Sequence, residues 1–275
     1  MNSPARRCSR WWAAAWCIGS REPDDARPVS TVTGLLAEIV EQAEALALAC
    51  RRLHAGGLLA GAEGNLSVRL SDSTILITAS GVDKARIHAG QVVRVHADGA
   101  PHHEPESMGR MCDGTDTPRG DSPVRASSEL GMHVACYAAR PDVRGIVHAH
   151  PPVATGFAVA GLSLPADVLP EVPVIVGPVA LVPYGRPGTP ALAAVLEPFF
   201  AAHEVFLLAN HGVTAVGRSL TDALLRMESV EQAARIVAVA RLLGGEQRLP
   251  AGEAAALASL RRSRELPSEP SSRSL

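Results

Sequence analysis

Two short apolar runs in this chain each end in histidine. Gly145-Ile146-Val147 leads into His148-Ala149-His150, and Val205-Phe206-Leu207-Leu208-Ala209 leads into Asn210-His211-Gly212. Short runs rich in Val, Ile, Leu and Phe, bounded by Gly and Asn, read as buried strands. Side chains alternate along a strand, so His148 and His150 share one face, and His211 can meet them from a neighbouring strand end. Three imidazoles converging at about 2.0–2.1 Å from one ion are the donor set of an open catalytic zinc site. An isolated His-x-His at a strand end often does no more than hydrate that end. The other histidines serve as controls: His54, His88, His96, His102, His103, His133 and His203 form no comparable strand-end pair. His102-His103 lies in a polar, proline-containing stretch and reads as loop, where neighbouring side chains of an extended chain point apart.

The surrounding elements set the fold class. Apolar positions Leu35, Leu36, Ile39, Val40, Ala43, Leu46, Ala47 and Cys50 recur at helical spacing from Thr33 and stop at Gly56-Gly57. Residues 65–70, 74–79 and 91–96 read as strands, the first two joined as a hairpin by Ser71-Asp72-Ser73. A helix opens at Glu129, with Ser127 or Ser128 as its expected N-cap, and ends before Pro141. Strand 145–150, a helix near 153–160, strands at 172–176 and 179–182 and a helix near 189–202 follow. Strands 205–210 and 213–216, a long helix from Leu220 to about Leu243 and a short helix at 252–262 complete the order. Hairpins mixed with helices predict an α/β (α+β-like) fold: one three-layer domain over 31–245, with a mixed, mainly antiparallel central sheet. Residues 1–30 read as a disordered tail and 246–275 as a short helix with a polar tail. Residues 99–125 carry almost no apolar period and read as an insertion: a mobile loop, a lid or a sequence anomaly.

Composition excludes several classes. The formal charge is −2 and no basic stripe points to nucleic acid. No apolar run is long enough to span a membrane. The apolar stretch Trp11–Gly19 after Arg6-Arg7 and Arg10 is too short, and lacks the cleavage site, for a secretion signal. The cysteines (Cys8, Cys17, Cys50, Cys112, Cys136) are odd in number and scattered, which fits a reducing cytoplasm without disulfides or thiolate metal sites. Lys84 is the only lysine, and it sits in a polar turn. Schiff-base catalysis needs a desolvated lysine, so that chemistry has one candidate at most.

The remaining polar motifs suggest an anion site. Gly64-Asn65-Leu66-Ser67 and Thr78-Ala79-Ser80-Gly81 are small-residue turns, and Ser127-Ser128 precedes a helix N-terminus. Turns and caps explain each alone; together they could cradle a phosphate, because backbone N–H groups there are open and the helix dipole is positive. A glutamate at a helix start ordinarily complements that dipole. Beside zinc, Glu129 could instead ligate at rest and swing away as a base. The reaction class this supports is carbon–carbon cleavage next to a carbonyl in a phosphorylated sugar.

These motifs, in this order and spacing, resemble the class II aldolase/adducin family from about residue 35 to 243. They are Gly64-Asn65-Leu66-Ser67, Ile77-Thr78-Ala79-Ser80-Gly81, Ser127-Ser128-Glu129, Val147-His148-Ala149-His150 and Ala209-Asn210-His211-Gly212. The resemblance implies a Zn2+ site at Glu129, His148, His150 and His211, with Glu129 as catalytic acid/base. It implies phosphate binding at Gly64, Asn65, Ser80, Gly81, Ser127 and Ser128. It also implies a C4 homotetramer with sites at subunit interfaces, acting on a small-molecule sugar phosphate, with no nucleic acid or membrane partner. The aldolases of the family release dihydroxyacetone phosphate and an aldehyde. Same-family alternatives are a pentulose-phosphate 4-epimerase, a sugar-acid phosphate decarboxylase and a thiosugar-phosphate (methylthioribulose-phosphate) dehydratase. A metal-free adducin-like scaffold would have no need of the three histidines. The aromatic residues that fuculose-type aldolases set around the aldehyde fall on Leu169 and Pro187, with Tyr184 nearby as a substitute.

Overall fold

The computed structural model describes residues 29–102 and 124–263. The N-terminal tail through 28, most of the insertion (103–123) and the end of the polar tail (264–275) lie outside the described residues. The elements are α1 (Val29–Ala55), β1 (Asn65–Arg69), β2 (Ile75–Thr78), β3 (Val92–Val95), α2 (Leu130–Ala139), β4 (Gly145–Ala149) and α3 (Pro152–Val159). They continue with β5 (Val179–Val182), α4 (Pro190–Leu196), β6 (Val205–Leu208), β7 (Gly212–Gly217), α5 (Leu220–Leu242) and α6 (Glu253–Ser263).

The strands form one seven-stranded sheet in the order β3-β2-β1-β4-β7-β6-β5. Every neighbouring pair is antiparallel except the edge pair β5–β6. Alternation sends Val205 and Leu207 of β6 into one core and Phe206 and Leu208 into the other. The first core is closed by α1, α3 and α5, the second by α2 and α4. This is the mixed, mainly antiparallel three-layer α/β fold that the pattern predicts.

Ser219 caps α5, its side chain accepting from Asp222 N at 3.1 Å. Further along α5, Glu231 is buried and accepts from Val153 N and Ala154 N, the open donors at the start of α3. That clamp fixes the chain just beyond His150. The β6–β7 hairpin turns through Ala209, Asn210 and His211, with Asn210 in the left-handed region at φ 56°. Asparagine tolerates that conformation, which lets a three-residue loop close.

The structure corrects three readings. Residues Val172–Val176 are a single π-helical turn, not a strand. The β-branched run looks strand-like, but Pro173 lacks the N–H a ladder needs, and Gly177 at φ 76° ends the turn. The helix expected at 189–202 stops at Leu196 and continues as a 3-10 turn over Glu197–Phe199, where Pro198 interrupts it. The N-cap of α2 is Glu129 itself; Ser127 stands behind it, its hydroxyl accepting from Glu129 N at 3.3 Å.

Candidate active site

β4 pairs with β7 so that His148 lies opposite Thr214, and His148 points to the α2 side of the sheet, like Ile146. His150 continues that face, and His211 arrives from the β6–β7 turn. The ring centroids form a near-equal triangle: 5.1 Å for His148–His150, 4.7 Å for His148–His211 and 5.2 Å for His150–His211. One ligating atom from each lies within 4.8 Å of the others.

The outer partners of two rings set their tautomers. His148 Nδ1 lies 3.0 Å from Val213 O, which can only accept, so Nδ1 donates. His150 Nδ1 lies 3.1 Å from the Glu63 carboxylate and donates too. In the neutral rings both Nε2 atoms then carry lone pairs, and they face each other at 3.3 Å. Glu129 adds a third acceptor, Oε2, 3.2 Å from His148 Nε2. Its Oε1 lies 3.1 Å from His211 Nε2 without the geometry of a hydrogen bond. Lone pairs crowded this way repel; a divalent cation among them makes the same arrangement bonding. The donor set therefore fits a metal, with His148, His150, His211 and Glu129 as the residues that would hold it. Burial, then the neighbouring His148, keeps His150 below the usual histidine range, in the neutral state a ligand requires. Burial raises the Glu129 carboxyl, but its close contacts with His148 and His211 outweigh it and hold the group well below the usual carboxylate range. A cation in their midst acts in the same direction.

Two glycines make this approach possible. A Cβ on Gly212 would sit 2.4 Å from His150 Cδ2. A Cβ on Gly64 would sit 2.7 Å from His148 O, and Gly64 holds φ 66°.

Gly64, Asn65, Ser80, Gly81, Ser127 and Ser128 all line one cavity of about 370 Å³, together with Glu129, His150 and His211. The bridge Ala79–Ala126 and the bond from Ser80 N to Arg125 O hold the two serine turns side by side. Ser80, Gly81 and Ser128 are exposed to that space. Asn65 also reaches the acid: its Nδ2 donates to Glu129 Oε2 at 2.7 Å and its Oδ1 faces His133 Nε2 at 2.6 Å. Lys84 is not a pocket amine. It is buried beneath the loop, donating to Ala62 O and Val82 O. Leu169 packs against the first core and Tyr184 does not line the cavity, while Pro187 does.

Sequence reasoning missed Glu63, Ser67, His133, Tyr137 and Thr214. The signal was available for three of them. Ser67 follows Asn65 at strand spacing, and His133 and Tyr137 follow Glu129 at steps of four, on one helix stripe.

The model of the family described as Class II Aldolase and Adducin N-terminal domain matches residues 44–238. This chain belongs to that family. The match spans every strand and every site residue of the class II aldolase fold described above. The chain is 33% identical over 209 residues to 3-oxo-tetronate 4-phosphate decarboxylase of Escherichia coli (strain K12), covering 74% of this chain and 88% of the relative. It is 31% identical over 226 residues to 3,4-dihydroxyphthalate decarboxylase of Arthrobacter keyseri, covering 79% and 86%. A solved L-fuculose 1-phosphate aldolase superposes with a TM-score of 0.68; it is 28% identical, and the match covers 80% of this chain and 95% of that one. No helix among the described residues is long and apolar enough to cross a membrane.

Proposed function

We propose that this class II aldolase relative is a metal-dependent lyase, with zinc the expected ion. It breaks the carbon–carbon bond beside a ketone in a small phosphorylated substrate. The observation that carries this reading is the Glu129 carboxylate wedged against His148 and His211 at the wall of a glycine- and serine-lined cavity. Ser80, Gly81 and Ser128 would receive the phosphate through hydroxyl and backbone donors. A divalent ion on the three histidines supplies Lewis acidity that polarises the ketone. Bond cleavage leaves an electron pair on the carbon next to that ketone, and Glu129, turning Oε1 away from His211, takes a proton from water and delivers it to that carbon.

Between two cleavages, the pocket favours loss of CO2 from a 3-keto sugar-acid phosphate over retro-aldol cleavage of a ketose 1-phosphate. A retro-aldol step must also remove a proton from the hydroxyl on the departing carbon. By the family resemblance Leu169 and Pro187 take the places of the aromatic residues of fuculose-type aldolases, and among the described residues the cavity lining holds no tyrosine. CO2 departs without such a transfer. The names of the Escherichia coli and Arthrobacter relatives support the same choice. Retro-aldol cleavage, giving dihydroxyacetone phosphate and an aldehyde, is the second reading, supported by the likeness to fuculose phosphate aldolase. A homotetramer, as the family resemblance implies, in the reducing cytoplasm that the scattered cysteines suggest, is part of the proposal.

A panel of keto sugar-acid phosphates and ketose phosphates, assayed with zinc added and with chelator, tests it. CO2 release abolished by chelation is the expected result. Aldehyde release in place of CO2 selects the second reading, and turnover indifferent to chelator overturns both. Glu129→Gln should retain most bound metal and slow turnover about 10²–10⁴-fold.

A further inference from the structure

A buried polar seam runs away from the metal cluster between β1 and α2. Asn65 and Ser67 lie on the α2 side of β1, since Leu66 and Val68 fill the opposite core. Glu129, His133 and Tyr137 occupy successive turns of the helix, four residues apart, along one stripe. Asn65, Ser67, His133 and Tyr137 are all buried. Their contacts are short: Tyr137 OH to Ser67 Oγ 2.9 Å, Ser67 Oγ to His133 Nδ1 2.7 Å, His133 Nε2 to Asn65 Oδ1 2.6 Å and Asn65 Nδ2 to Glu129 Oε2 2.7 Å.

The direction of every one of these bonds follows from the last. An ionised carboxylate only accepts, so Asn65 presents its NH2 to Glu129 and its oxygen to His133. That oxygen only accepts, so His133 Nε2 carries a proton. Burial pushes His133 down to about 3, which leaves the ring neutral and Nδ1 bare. Bare Nδ1 accepts from the Ser67 hydroxyl, and Ser67 Oγ then accepts from Tyr137. Burial pushes the Tyr137 phenol up, so it stays a donor. The far end is anchored by Arg69, whose guanidinium lies over the Tyr137 ring at 4.7 Å from its centroid.

We propose that Tyr137, Ser67, His133 and Asn65 are positioning residues that form a one-way donor chain aimed at Glu129, with His133 fixed as the Nε2–H tautomer at its centre. The proposal rests on Glu129 being the acid/base of the site. The chain holds one carboxylate oxygen in place while leaving the other free to turn toward substrate. None of the four needs to change protonation state in the reaction.

Two measurements on the full-length zinc-loaded protein test this. The first is the 15N spectrum of histidine-labelled protein, which reads the His133 tautomer directly and needs no substrate. A protonated Nε2 and bare Nδ1 between about pH 5 and 8 are expected; a protonated Nδ1, or titration in that range, overturns the chain. The second is a pair of substitutions. In His133→Gln, the amide can donate and accept in the same directions as the ring; in His133→Leu, neither is possible. The Leu variant should lose about 10–100-fold in kcat at unchanged KM and bound zinc, and the Gln variant should recover most of it. Equal loss in Leu and Gln overturns the positioning role. If the parent itself turns over no keto or ketose phosphate, the acid/base reading of Glu129 fails while the tautomer measurement still decides the chain. If the Leu variant does not fold, the tautomer and the Gln variant decide it.

Discussion

The two faces of the sheet are built from different residues. Toward α1, α3 and α5 the strands present Leu66, Val68, Leu76, Val147, Ala149, Val205, Leu207, Val213 and Ala215. Toward α2 and α4 the β5–β6 end is also apolar, with Val182, Phe206 and Leu208. The β1–β4–β7 end of that second face instead buries Asn65, Ser67, His148 and Thr214 against His133 and Glu129. Burial of polar groups is costly unless each finds a partner. Here they are satisfied by one another, and Glu129 Oε1 is left over beside the three histidines. The aliphatic face stabilises the domain, and the polar quarter of the other face spends part of that stability on chemistry.

That division can be broken by substitution. The largest effect is expected from His148→Ala, which should remove bound metal and activity together while the fold persists. Equal metal content in variant and parent, by elemental analysis, would remove His148 from the site. Leu207→Ala, on the aliphatic face, should cost about 2–5 kcal/mol in urea unfolding with metal stoichiometry unchanged. A loss of metal at full stability would show that the faces are not separable. Glu63→Ala takes the acceptor from His150 Nδ1 and should weaken metal affinity about 10–100-fold, read by competition with a chelator. A further expected effect is a slope with pH. Folding lowers His133 from 6.5 to about 3, so the unfolded chain takes up a proton before the native one does as pH falls. Stability of the metal-free protein should therefore fall with pH across that window, by up to about 1.4 kcal/mol per pH unit from this group. His133→Gln should flatten the acid limb; an identical limb in both proteins would place the proton uptake elsewhere.

The histidine cluster was legible because period-two alternation places His148 and His150 together, whatever the rest of the chain does. The serine and glycine turns were legible as turns, and the cavity unites them because β1, β2 and the start of α2 converge there. Asn65 was readable only as a donor in a turn. Its actual partner, His133, is distant in sequence, and only the four-residue stripe from Glu129 through His133 to Tyr137 hinted at it. The Val172–Val176 run misled because β-branched composition outweighed a single Pro173.

The pairing of β4 with β7 carries one more consequence. Glu129, His148 and His150 are all in place along the chain well before His211, yet they converge with it only when the later hairpin docks beside β4. An ion cannot serve as a nucleus for this topology, because the cage exists only once the long-range pairing is complete. Added zinc should thus deepen the native well by mass action and retard unfolding, leaving the rate of chain collapse and refolding almost untouched.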